Sequence, residues 1–119
     1  ACSGAALLHA LPVAAADWTS GDYPTISSGT TVNDLVVKSG VNGGTLTNQG
    51  TISGAIAIDN SDGGSIGTLN NAGTINGSYR GIVVYDGTIT TLTNTGTISG
   101  SSYDIHVYSG GSITHLNNA

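Results

Sequence analysis

The sequence predicts an all-β fold, a right-handed parallel β-solenoid (β-helix) of about four turns with three short strands in each 23-residue turn. Three observations lead there. The phrase Leu46-Thr-Asn-Gln-Gly-Thr-Ile-Ser-Gly54 returns as Leu69-Asn-Asn-Ala-Gly-Thr-Ile-Asn-Gly77 and as Leu92-Thr-Asn-Thr-Gly-Thr-Ile-Ser-Gly100, each time 23 residues on, and a further copy opens one residue late at Leu116. A fixed period of this length marks stacked repeats. Apolar residues fall in short groups separated by Gly or Asn, which supply sharp corners. Finally, each group resembles the one a period later rather than its immediate neighbour. A hairpin meander would make successive strands alike. A coil that stacks like on like gives the observed pattern, and parallel crossovers are right-handed. Gly and β-branched residues dominate, and no 3.6-residue period spans a repeat, so helix is excluded there.

Residues 1–16 share nothing with the repeats. They are small, apolar and uncharged, and Ala14-Ala15-Ala16 is a small-x-small cleavage pattern, so the segment is expected to be signal-peptide-like. The alternatives are an N-terminal cap, helical over Ala5–Ala10, or the end of a lipoprotein box with Cys2 as the lipidated residue. Residues 17–40 carry Ile26, Val32, Leu35, Val36 and Val37 between breakers and form an irregular opening turn or cap.

Residues 41–119 are the solenoid repeats. The first apolar group is Gly-Thr-Ile, giving an inward column of Ile52, Ile75 and Ile98. The second is an alternating pair, aligned as Ile56 and Ile58, Ile82 and Val84, Ile105 and Val107. The third is Ile-x-x-Leu: Ile66 and Leu69, Ile89 and Leu92, Ile113 and Leu116. In this alignment one corner loses three residues and the next regains them, which keeps the register of Leu69 and Leu92. Core residues are therefore Ile52, Ile75, Ile98, Leu69, Leu92 and Leu116. Asn48, Asn71, Asn94 and Asn118 form one column, expected to be a ladder of side-chain amides bonded from turn to turn. Columns of Thr51, Thr74, Thr97 and of Ser53, Asn76, Ser99 flank the inward Ile and face out. A flat ice-binding face needs two Thr columns, and the second column here is Ser or Asn.

The chemistry is sparse. Net charge is −5, and Lys38 and Arg80 are the only cations, which excludes a phosphate-neutralising surface and hence nucleic acid. One cysteine allows no internal disulfide. Asp104 and His106 share a strand face and could orient an imidazole, but a single turn carries the pair and a solvated face is the expectation. Asp59-Asn60-Ser61-Asp62-Gly63 lacks the alternating acids and terminal Glu of a calcium loop and reads as a turn. The seven aspartates are spread along the turns, without the paired carboxylates of a polysaccharide-cleaving site. No catalytic residue, metal site or cofactor is expected. Tyr85 and Tyr108 fall in one column with Tyr79 and Tyr103 nearby; stacked tyrosines can contact a sugar ring or a protein.

The phrase Leu-Thr-Asn-x-Gly-Thr-Ile-Ser-Gly, together with Asp17-Trp18-Thr19 and Ile26-Ser-Ser-Gly-Thr-Thr-Val32, resembles the passenger repeats of bacterial autotransporters over residues 17–119. That resemblance implies a secreted, cell-surface, outer-membrane-associated passenger domain with a translocator barrel elsewhere. It also implies adhesion or aggregation as the work of the passenger. The expected function is thus a non-enzymatic adhesin-type fragment whose partner is a host or neighbouring-cell surface or a polysaccharide. The alternative is a self-stacking filament subunit joined through open solenoid ends, since unpaired strand edges template further pairing.

Overall fold

The structure, a computed structural model, describes residues 15–119. The signal-peptide reading, the Ala5–Ala10 helix and Cys2 lie outside the described residues, apart from Ala15 and Ala16, which open the first strand. Ten strands follow in order: β1 (Ala15–Trp18), β2 (Thr31–Val37), β3 (Asn42–Asn48), β4 (Thr51–Asn60), β5 (Ser65–Asn71), β6 (Thr74–Tyr85), β7 (Thr88–Asn94), β8 (Thr97–Gly100), β9 (Tyr103–Tyr108) and β10 (Ser112–Asn118). They form two sheets. One runs β1-β2-β4-β6-β8, with β9 also on β6; the other runs β10-β7-β5-β3. Every strand pairing is parallel and joins strands one turn apart, so the chain is a β-solenoid.

The repeat columns stand in single files. Ile52, Ile75 and Ile98 are in register, as are Leu46, Leu69, Leu92 and Leu116, and Ile66, Ile89 and Ile113. The Thr file runs Thr31, Thr51, Thr74, Thr97. Ile52, Ile58, Ile66, Leu69, Ile75, Ile82, Ile89 and Leu92 are fully buried between the two sheets. Each such side chain contributes about 1.5–3 kcal/mol when removed from water. A single turn cannot offset its chain entropy with so few, so stability accrues only as turns stack.

The structure departs from the sequence expectation in three places. The first two apolar groups run together as one long strand in β4 and β6 and separate only in the last turn, as β8 and β9. The long strand bends after Gly77, where a Cβ would overlap the Arg80 carbonyl oxygen at 1.6 Å, so the chain can fold back there only on glycine.

The second column is shifted. Leu35, Ile58, Ile82 and Ile105 share a file, Ile56 lies opposite Arg80, and Asn60 lies opposite Val84 and, one turn on, Val107. Aligning Ile56 with Ile82 matched apolar to apolar but required a three-residue exchange between corners. The backbone ladder instead absorbs the difference at an irregularity between Gly54 and Ile56. Asn60 is thereby fully buried in a column that is otherwise aliphatic. Its Nδ2 donates to the Thr88 carbonyl at 3.3 Å, and its Oδ1 has no partner. An unpaired buried amide oxygen is destabilising. Asn60→Val should therefore raise stability by about 1 kcal/mol, read as a higher urea midpoint at an unchanged m-value.

Leu116, placed in the core, is 54% exposed, and Ile98 and Ile113 are only partly buried. Among the described residues no strand lies on the far side of β8, β9 and β10, so the inward side chains of that turn are covered from one side alone. The opposite end is closed: Trp18 is buried, donates from Nε1 to the Gly21 carbonyl at 2.8 Å, and meets the edge of Tyr23. Ile26 bridges to Asn48 and covers the head of the asparagine column.

Candidate functional site

The asparagine column is the most ordered polar feature. Asn48 Nδ2 donates to Asn71 Oδ1, Asn71 Nδ2 to Asn94 Oδ1, and Asn94 Nδ2 to Asn118 Oδ1, each at 2.8 Å. The same Nδ2 groups reach the next turn's backbone, Asn48 to the Thr74 carbonyl at 3.1 Å and Asn71 to the Thr97 carbonyl at 3.0 Å. Asn48, Asn71 and Asn94 are buried, and their amides are consumed by the ladder, so this column is structural. The outward Ser and Asn file is also bonded between turns, with Ser99 Oγ donating to Asn76 Oδ1 at 2.9 Å.

The candidate contact surface lies on the flank built by β6 and β9. Parallel register places Tyr85 beside Tyr108, Val83 beside His106 and Arg80 beside Tyr103. Tyr85 and Tyr108 do share a column, with ring centroids 4.9 Å apart. Between Tyr108 and Tyr103 sits His106, which stacks on Tyr103 at 4.0 Å and on Tyr108 at 4.2 Å with nearly parallel rings. The result is one continuous row: Tyr103, His106, Tyr108, Tyr85. Spacing of about 4.8 Å between strands brings Tyr85 and Tyr108, on adjacent turns, to ring-contact distance, while Tyr103, His106 and Tyr108 stack along the single strand β9.

Arg80 closes this row. Its guanidinium carbon is 4.6 Å from the Tyr79 ring centroid, 5.8 Å from that of Tyr103 and 5.7 Å from that of Tyr108. Nη1 donates to the Tyr108 hydroxyl at 3.3 Å and Nη2 to the Tyr79 hydroxyl at 3.2 Å. These two hydroxyl bonds hold the Arg80 pKa above its ordinary value, and no aspartate takes part. Arg80 Nε and His106 Nδ1 have no hydrogen-bond partner. Tyr79 and Tyr103 are each 45% exposed and Tyr108 37%, a large aromatic surface for a chain with six aromatic residues in all. Arg80 and His106 were not among the contact residues expected from sequence. The available signal was the spacing itself, since Arg80 stands 23 residues before Tyr103 and Val83 stands 23 before His106.

The Asp104–His106 pair does not assemble. Asp104 Oδ1 accepts from the Gly100 N–H at 3.0 Å, while His106 is held by its stacking partners. The acids of Asp59–Gly63 do not converge either: Asp59 bonds the Ser61 hydroxyl and Asn60 turns into the core. Among the described residues no group of three His, Cys, Asp or Glu stands ready to hold a metal ion.

Fold and flank together define a repeat protein of the β-solenoid class carrying one aromatic surface with a single embedded cation. No protein-family model, curated protein or solved structure matches the chain.

Proposed function

We propose that this chain is a non-enzymatic, extracellular contact module of a bacterial surface protein, an adhesin-type solenoid of the kind autotransporter passengers display. The supporting observation is the Tyr103–His106–Tyr108–Tyr85 row with Arg80 against it. Exposed tyrosines and arginine are the side chains that most often anchor recognition, because they offer large apolar area, hydrogen bonds and little entropy loss. The solenoid supplies a rigid support on which the row is held by backbone register rather than by a loop. The partner is a host or neighbouring-cell surface or a polysaccharide.

The test is retention of purified protein on bacterial and host cells and on immobilised polysaccharides. The double substitution Tyr103→Ala with Tyr108→Ala should lower retention at least about tenfold, corresponding to about 1.4 kcal/mol or more. It should leave the unfolding midpoint nearly unchanged, since both rings are on the outer face. Equal retention of the wild type and the double variant would exclude the row as the contact surface.

A second reading is a self-stacking filament subunit, joined edge to edge by the same in-register parallel pairing that links one turn to the next. Concentration-dependent growth in sedimentation velocity would support it, and a monomer across the accessible concentration range would remove it.

A further inference from the structure

We propose that the Arg80 cluster binds a sugar ring bearing one isolated carboxylate, and that the guanidinium with the Tyr79 and Tyr108 hydroxyls forms the recognition point. This rests on the contact reading above and narrows its ligand to an acidic glycan.

Arg80 is fixed by aromatic rings and two phenol oxygens, and none of these neutralises it. Each Nη uses one N–H on a hydroxyl and keeps another. Each hydroxyl accepts from Arg80, so its own proton is free to donate. A carboxylate approaching the guanidinium thus meets charged N–H donors and phenol O–H donors on one small patch. Arginine's planar fork suits a carboxylate, and charge-assisted bonds are about twice as strong as neutral ones. The aromatic contacts hold the fork in place before a ligand arrives, which limits the entropy lost on binding.

Stacking argues against a purely neutral sugar. His106 has its two faces covered by Tyr103 and Tyr108, and Tyr108 lies between His106 and Tyr85. The middle of the row offers ring edges rather than open faces, so a sugar cannot lie flat on it. The remaining specific handle is the cation with its hydroxyls, while the two most exposed rings, Tyr79 and Tyr103, supply apolar contact. The chain's charge sets the other limit. With net charge −5 and two cations in all, a densely charged polymer is repelled beyond its first carboxylate. A lone acidic sugar, terminal or isolated on a neutral glycan, fits both conditions; an acidic peptide with several charges fits neither.

The experiment is titration of the full chain with lactose, with sialyllactose and with polygalacturonate. Sialyllactose should bind at least about tenfold tighter than lactose, corresponding to about 1.4 kcal/mol. Arg80→Gln should abolish that preference while leaving the unfolding midpoint in place. Arg80→Lys should restore only part of it, because lysine keeps the charge and loses the fork. Raising salt should weaken sialyllactose binding only severalfold, as for one ion pair. Equal affinity for lactose and sialyllactose, or an Arg80→Gln variant that keeps the preference, overturns this inference and leaves the contact reading standing. Tighter binding of polygalacturonate with a steep salt dependence also overturns it. Binding of none of the three overturns it too, and retention on cells then decides the contact reading separately.

Discussion

Gly73→Ala should lower stability by about 3 kcal/mol or more. Gly50, Gly73 and Gly96 stack at one corner of successive turns. A Cβ on Gly73 would lie 2.1 Å from the Gly50 carbonyl oxygen, and one on Gly96 would lie 2.0 Å from that of Gly73. Those oxygens cannot retreat. The Gly50 carbonyl accepts from Thr74 N–H and the Gly73 carbonyl from Thr97 N–H, both at 2.9 Å. A methyl group at this corner must therefore break a ladder bond, worth about 1 kcal/mol, and pry two turns apart. Neither residue is in the left-handed region, so the requirement here is space rather than φ. Gly63 separates the two causes. It has φ of +79° and open space around it, so Gly63→Ala should cost only about 1 kcal/mol of backbone strain. Urea midpoints of Gly73→Ala, Gly63→Ala and the exposed neighbour Ala72→Ser check the order. Equal losses at positions 73 and 63 would contradict it.

Breaking the asparagine ladder in its middle should cost nearly as much. Asn71 is buried, accepts from Asn48 and donates to Asn94. Asn71→Ala strands a donor above and an acceptor below, each costing about 1–3 kcal/mol when left buried and unpaired, so a loss of about 3 kcal/mol is expected. Asn71→Asp adds a pH signature. The new carboxylate would face Asn94 Oδ1 and the carbonyl oxygens of Gly73 and Thr97, all acceptors. Burial and these oxygens raise its folded-state pKa above the ordinary value of about 3.9. An acid raised in this way destabilises the fold only when ionised. The penalty is absent below the unfolded pKa, grows as pH rises toward the folded pKa, and is complete above it. The variant should thus be closer to wild type near pH 4 than at pH 7, measured as the difference in urea midpoint between the two proteins. A constant difference across that range would show that water reaches the site and screens the charge.

Both predictions concern columns that were legible in the sequence. Asn48, Asn71 and Asn94 recur at a fixed step, as do Gly50, Gly73 and Gly96, because each must meet its own kind one turn away. The aromatic site was legible only in part. Tyr85 and Tyr108 could be placed in one column, but the stacking of His106 into the row and the closing of Arg80 over it depend on side-chain directions at the bend after Gly77. Residue type alone misled at Asn60. An amide there reads as a corner residue because amides favour corners, while the ladder register carries it into the core.

The sequence by itself determined that the chain winds with a 23-residue period and that Ile, Leu, Asn and Gly stand in files. Repetition is a one-dimensional property, and stacking identical surfaces makes it visible without coordinates. Tertiary structure alone decided the register of the second column, the burial of Asn60 and the meeting of Arg80 with three tyrosines beside a stacked histidine. Each of these depends on what lies directly above or below a residue, which the backbone ladder sets and residue type does not.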